Sequence, residues 1–165
     1  MAALVIRPYA ALPSRSLGYQ VQDSQQTLAE GLEEYYRANI DVVSRPTTLP
    51  PDSAALFRSH DLCHVIFGLD TTLGDETMAD MRTLLSSDVG WKKYLSYAND
   101  PLAQAVFKAL GIWRTVIITL RTLPRIVRAI REARLMKKKW PWIPPEIFYA
   151  RTLSDLRREF GIRVI

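Results

Sequence analysis

The chain has 165 residues, 48% of them hydrophobic and 24% charged, which are the proportions of one ordinary globular domain with a real core. Its single cysteine excludes an internal disulfide, so a reducing compartment fits and a disulfide-stapled secreted scaffold does not; the net charge of +5 fits either solvated basic side chains or an anionic partner. Glycine is scarce and long stretches lack turn signals, which favours helices, and no run of about 18 uncharged apolar residues offers a membrane span.

Residues 1–22 read as an extended arm broken by Pro8, Pro13 and Gly18. Asp23 or Ser24 is placed to cap a helix reaching Asn39, with Leu28, Leu32, Tyr35 and Tyr36 on its apolar side. Residues 44–51, with Pro46 and Pro50-Pro51, form a loop. Asp52 or Ser53 then caps a second helix whose apolar positions include Leu56, Phe57, Val65, Ile66 and Phe67. Gly68 ends that helix and residues 69–74 turn. A third helix runs from Asp75 to near Leu85, with acids in its first turn, where they suit the helix dipole, and Met78, Met81, Leu84 and Leu85 as its apolar row.

A Ser-Ser-Asp break leads to the aromatic stretch 91–97. Asn99-Asp100-Pro101 opens a long helix that kinks or restarts at Pro124. Leu123, Ile126, Val127 and Ile130 form an apolar stripe there, with arginines on the other faces. Trp140-Pro141-Trp142-Ile143-Pro144-Pro145 is a rigid loop, and Ser154 caps a last short helix ending near Gly161. The expectation is an all-α, single-domain bundle of about six to eight helices over residues 1–165.

Both histidines of the chain lie in the second helix, in the run His60-Asp61-Leu62-Cys63-His64. At about 100° per residue, His64 sits about 40° and Asp61 about 100° from His60, so the three occupy one third of the circumference. Cys63 falls on the other flank, where a small buried apolar residue is the ordinary reading. Glu76 follows at the head of the next helix, beside Asp75. Two imidazoles on one helix face and a carboxylate from the next make a three-ligand site with an open position, the arrangement of catalytic zinc and non-heme iron sites. Asp61 is a further ligand or orients an imidazole. An inert pair of helix-end histidines is the alternative; the spacing and the neighbouring acids favour a metal. HD-type phosphohydrolases need a further upstream histidine, which is absent, and His-Glu-x-x-His metalloproteases need Glu where this chain has Asp61.

These residues, His60-Asp61-Leu62-Cys63-His64 followed by Gly68, Leu73-Gly74 and Glu76, resemble the H-D-x-x-H-x11-E signature of the ubiquinone-biosynthesis family of coenzyme Q protein 4. The closing run Leu156-Arg157-Arg158-Glu159-Phe160-Gly161-Ile162 resembles that family's Leu-Arg-x-Glu-hydrophobic-Gly-Ile, and the likeness runs nearly the full chain. One departure is visible: the family places Glu directly after Leu-Gly, whereas Asp75 intervenes here. Counting from His64 selects Glu76; counting from Gly74 selects Asp75.

The resemblance implies an all-helical, membrane-peripheral, often oligomeric protein of prenylated-quinone synthesis. Its role would be metal-dependent replacement of the C1 ring carboxyl by hydroxyl, or organisation of other quinone-biosynthesis enzymes without catalysis. It implies a divalent metal held by His60, His64 and Glu76, with Asp61 beside them: zinc by resemblance, with iron, manganese and magnesium open. The implied partners are a prenylated quinone precursor or another prenyl lipid, a membrane surface, other quinone-biosynthesis proteins and a second copy of the chain. The implied location is the cytoplasm or the inner face of a membrane, which in a eukaryote is the mitochondrial inner membrane.

Residues 114–139 carry a run of arginines and lysines against one acid, Glu132. Arg125 and Arg128, with Trp140 and Trp142 beyond them, read as a lipid-facing surface, because basic residues favour anionic headgroups and tryptophans favour the interface. A core helix with a solvated basic face and packed tryptophans is the other reading. Nucleic acid is not expected, since no binding motif is present.

Overall fold

A computed structural model describes residues 17–40, 51–96 and 112–164. Among them the chain forms six α-helices: α1 Leu28–Ala38, α2 Pro51–Phe67, α3 Leu73–Ser86, α4 Trp91–Ser96, α5 Ile112–Leu135 and α6 Leu153–Phe160. Two isolated bridges are the only β-type pairing among these residues, so the fold is all-α as expected. The predicted helix start at residues 99–101 and most of the predicted loop 44–51 lie outside the described residues.

Four helix starts differ from expectation. Asp52 and Ser53 lie inside α2, which is helical from Pro51; in the other three a threonine hydroxyl reaches a backbone N–H that the helix leaves unpaired. Thr27 caps α1: its hydroxyl accepts from Glu30 N at 3.2 Å, and the Glu30 carboxylate accepts from Thr27 N at 2.7 Å. Asp23 and Ser24 stay in the preceding turn. Thr72 accepts from Asp75 N at 3.2 Å, which starts α3 at Leu73. Thr152, not Ser154, caps α6 through Asp155 N at 3.3 Å. Thr27 and Thr152 also face each other across an antiparallel bridge, so the starts of α1 and α6 are tied together.

Residues 17–22 are not an extended arm. They hold a 3-10 turn, Gly18–Gln20, whose Gly18 and Tyr19 N–H groups both donate to the Glu34 carboxylate of α1 at 3.0 Å. Tyr19 is fully buried and its hydroxyl donates to the Leu69 carbonyl at 3.0 Å.

α2 packs on α1 and α3, and α3 lies along α5. The buried row of α3 is Asp75, Met78, Ala79, Arg82, Thr83 and Ser86, whereas Met81, Leu84 and Leu85 are half-buried. Facing helices with short side chains can approach closely, and α5 also buries short ones, Thr122 and Ala129. Arg82 in this row lays its guanidinium over the Phe67 ring, 4.4 Å from the centroid, and donates Nη2 to the Arg163 carbonyl at 3.4 Å. α5 runs through Pro124 without a break. Of its predicted apolar stripe, Ile126 packs on the core while Leu123 and Val127 are exposed. No helix among the described residues is long and apolar enough to cross a membrane.

Arg157 of α6 fastens the centre of the molecule. It is fully buried and donates to the carbonyls of Tyr19 at 2.6 Å, Val21 at 2.6 Å, Val65 at 2.8 Å and Ile66 at 2.9 Å. Val65 and Ile66 are in the last turn of α2, where carbonyls lack helical partners and a cation meets the negative end of the helix dipole. Gly161 closes α6 with φ +70°, and a Cβ there would stand 2.9 Å from Lys137 N.

Candidate metal centre

Antiparallel packing of α2 and α3 places two pairs of side chains face to face. His60 and His64 are one turn apart on α2, with ring centroids 4.8 Å apart. Glu76 and Asp80 are one turn apart on α3. His64 Nε2 lies 3.4 Å from Glu76 Oε2, and His60 Nε2 lies 3.3 Å from Asp80 Oδ1. One ligand atom from each of His60, His64 and Glu76 lies within 4.8 Å of the other two. Those are the three residues that helical spacing and the count from His64 select.

His64 is fully buried and stacks on the Tyr35 ring, 5.3 Å between centroids. Its Nδ1 is 3.1 Å from the Asp70 carbonyl, which can only accept, so Nδ1 carries the proton and Nε2 the lone pair. Nε2 is buried without a hydrogen-bond partner; Glu76 is near it but out of line. An orphaned buried nitrogen costs stability, and an imidazole whose other nitrogen is tied to a carbonyl is the usual state of a metal ligand. The residues therefore fit a divalent metal.

The turn between α2 and α3 prepares this arrangement. Gly68 takes φ +71°, and Leu69 N returns to the His64 carbonyl at 2.8 Å. Asp70 N donates to Asp75 Oδ2 at 3.2 Å, and the Asp75 carboxylate also pairs with Arg125 of α5. Asp75 is thus buried and committed to the turn and to α5, leaving Glu76 as the acid that faces the histidines. Among the described residues Asp75 and Glu76 divide the two roles that the sequence left open between them.

Asp61 lies outside the three-residue group. About 100° round the helix from His60, it meets α1, where it accepts the Tyr36 hydroxyl proton at 3.0 Å. Burial pushes its pKa up to about 6, against the pull of His60, His64 and the Tyr36 hydrogen bond. Burial disfavours charge on His60, yet the hydrogen bond to Asp80 and the charges of Glu76, Asp80 and Asp61 outweigh it and raise the pKa to about 9. Cys63 is buried and its thiol is pushed up to about 12 by that burial, as suits a core residue.

The tryptophans require a correction. Trp140 is fully buried between Phe148 and Phe160, at centroid distances of 5.8 and 5.1 Å, and Trp142 is 3% exposed with its ring edge-on to Tyr94. Neither ring faces solvent: Trp142 packs against Tyr94 of α4 and Trp140 against Phe160 of α6. Arg125 is occupied by Asp75, while Arg128 remains exposed on α5.

Asp80 and Tyr94 escaped the sequence reading. The Tyr94 hydroxyl donates to Asp80 Oδ1, the oxygen that faces His60. The i, i+4 rule applied to α3 as it was to α2 would have found Asp80 one turn below Glu76. Nothing in the sequence marks Tyr94, which arrives from across the break at residues 87–90. Comparison with protein-family models, with curated proteins and with solved structures finds no match to this chain.

Proposed function

We propose that the chain is a metal-containing, prenyl-lipid-binding protein of ubiquinone or prenylquinone biosynthesis, acting in oxidative removal of a carboxyl from the precursor ring. The observation that carries the metal is the buried, unpartnered His64 Nε2 beside Glu76 and His60; the sequence resemblance supplies the substrate class. A redox-active divalent metal, when bound, would supply Lewis-acid and electron-transfer chemistry, with dioxygen as the outside oxidant. His60, His64 and Glu76 would hold it. The Glu76 side chain is 40% exposed, so this side of the site stays open to a polar ring. Tyr35 closes the opposite side by stacking on His64.

A second reading, a non-enzymatic lipid carrier or an organiser of other quinone-biosynthesis proteins, is favoured by α5. Leu120, Leu123 and Val127 are 60%, 46% and 63% exposed at i, i+3, i+7 spacing, flanked by exposed Arg121, Arg128 and Arg131. Such a face suits an anionic membrane surface. Elemental analysis of purified protein and of His60→Ala tests the metal: a metal-free wild type that takes none up on titration ends that reading. Turnover of a carboxylated prenyl-phenol by the loaded protein under air separates the two roles. Product favours the enzyme; none with any metal, beside retained lipid binding, favours the carrier.

A further inference from the structure

We propose that Asp80 and Tyr94 are the positioning residues of this metal site, so that His60 meets the ion through Nδ1 while His64 meets it through Nε2. The inference rests on the metal reading above. His60 Nε2 points its N–H at Asp80 Oδ1 across 3.3 Å. A nitrogen that donates to a carboxylate has no lone pair for a metal, which leaves Nδ1 as the ligand atom. His64 is arranged the other way round, with Nδ1 given to the Asp70 carbonyl and Nε2 left unpaired. Each imidazole then has one nitrogen fixed by the protein and one free for the ion.

Asp80 does not belong to the ligand group itself. The ligand atoms that lie within 4.8 Å of one another are those of His60, His64 and Glu76, and Asp80 turns to the outer nitrogen of His60. The carboxylate is instead held from outside. Tyr94 donates its hydroxyl to the same Asp80 oxygen, and the Tyr94 ring stands edge-on to Trp142, 6.4 Å between centroids at 89°. Trp142 is anchored in turn by its backbone N–H on Asp88 Oδ1 at 2.7 Å, and Asp88 N donates to the Trp140 carbonyl at 3.0 Å. The buried tryptophan loop therefore ends, through Tyr94 and Asp80, on an imidazole of the site. The two histidines also receive unequal support: a carboxylate acceptor makes His60 a more basic donor than the carbonyl makes His64.

The test uses the full chain labelled with 15N-histidine and titrated with zinc. Long-range 1H–15N spectra of the loaded wild type should show His60 protonated at Nε2 and metal-bound at Nδ1, with His64 the reverse. Zinc affinity, measured by chelator competition, should fall about 10–100-fold in Asp80→Asn. In Tyr94→Phe it should fall less, about threefold to tenfold. In the exposed control Asp155→Asn it should not change. A wild type that binds zinc through His60 Nε2, or an Asp80→Asn protein with unaltered affinity, overturns this proposal alone. A wild type that takes up no zinc overturns it together with the metal reading. The wild-type spectrum needs no substitution, so a poorly folding variant does not remove the test.

Discussion

His64 gives its Nδ1 proton to the carbonyl of Asp70, and the position of that carbonyl depends on Gly68. A Cβ on Gly68 would stand 2.6 Å from Val164 Cγ1, at a φ of +71° that L-residues rarely adopt. Gly68→Ala should therefore cost about 1–3 kcal/mol in urea unfolding. It should also weaken zinc binding by loosening the His64 ring. Wild-type affinity in this variant would show that the turn does not orient His64.

The neighbours Asp75 and Glu76 should separate cleanly under mutation. Glu76→Gln should weaken metal binding with little change in stability, because its side chain is 40% exposed. Asp75→Asn leaves Arg125 without its charge partner and should cost roughly 3 kcal/mol. Chelator competition and urea melts on the two proteins check both halves; a larger affinity loss in Asp75→Asn would exchange their roles.

Arg157→Lys should be nearly as damaging as Arg157→Met. A lysine offers a point charge, not the planar fork that reaches carbonyls of the first turn and of α2 together. Each variant should lose about 3–5 kcal/mol on the scale of a disrupted buried charged network. Denaturant midpoints measure it, and a lysine variant within about 1 kcal/mol of wild type would contradict the account.

The metal-free protein should lose stability as pH rises from about 6.5 to 9. His60 keeps its proton to about 9 when folded, against 6.5 for the unperturbed group. The folded chain thus binds more protons than the unfolded chain between those values. The contribution is fully present below 6.5 and is gone above 9. Thermal melts across this window should show a falling Tm that His60→Gln flattens.

Vesicle binding should depend on α5 and not on the tryptophans. Val127→Glu, on the exposed apolar face, should reduce co-sedimentation with anionic vesicles at low salt while leaving stability within about 0.5 kcal/mol. Trp142→Ala should do the opposite, costing about 3–5 kcal/mol of stability while the folded protein still binds. Vesicle binding unaffected by Val127→Glu would remove α5 as the contact.

Periodicity made the helices and the histidine face legible, because i, i+4 spacing is a local property that tertiary contacts do not alter. The glycine stops at Gly68 and Gly161 were legible for the same reason. What stayed hidden was relational. Arg82 and Arg157 look like surface residues by composition, and their partners in the core, a ring and several backbone carbonyls, are brought from elsewhere in the chain by folding. Tryptophan suits both a core and an interface, so the loop sequence could not tell which side its rings face. The second acid, Asp80, is visible by spacing once α3 is known to run antiparallel to α2; Tyr94 is not visible at all.

The grip of Arg157 on Val65 and Ile66 has a consequence for the order of events during synthesis. The histidine helix reaches its final hydrogen bonding only after a residue more than 90 positions downstream has left the ribosome. Until then the end of α2 is closed by its own turn alone, through Gly68 N on the Val65 carbonyl and Leu69 N on the His64 carbonyl. The nascent chain therefore carries both histidines well before the last turn of their helix is fastened from α6.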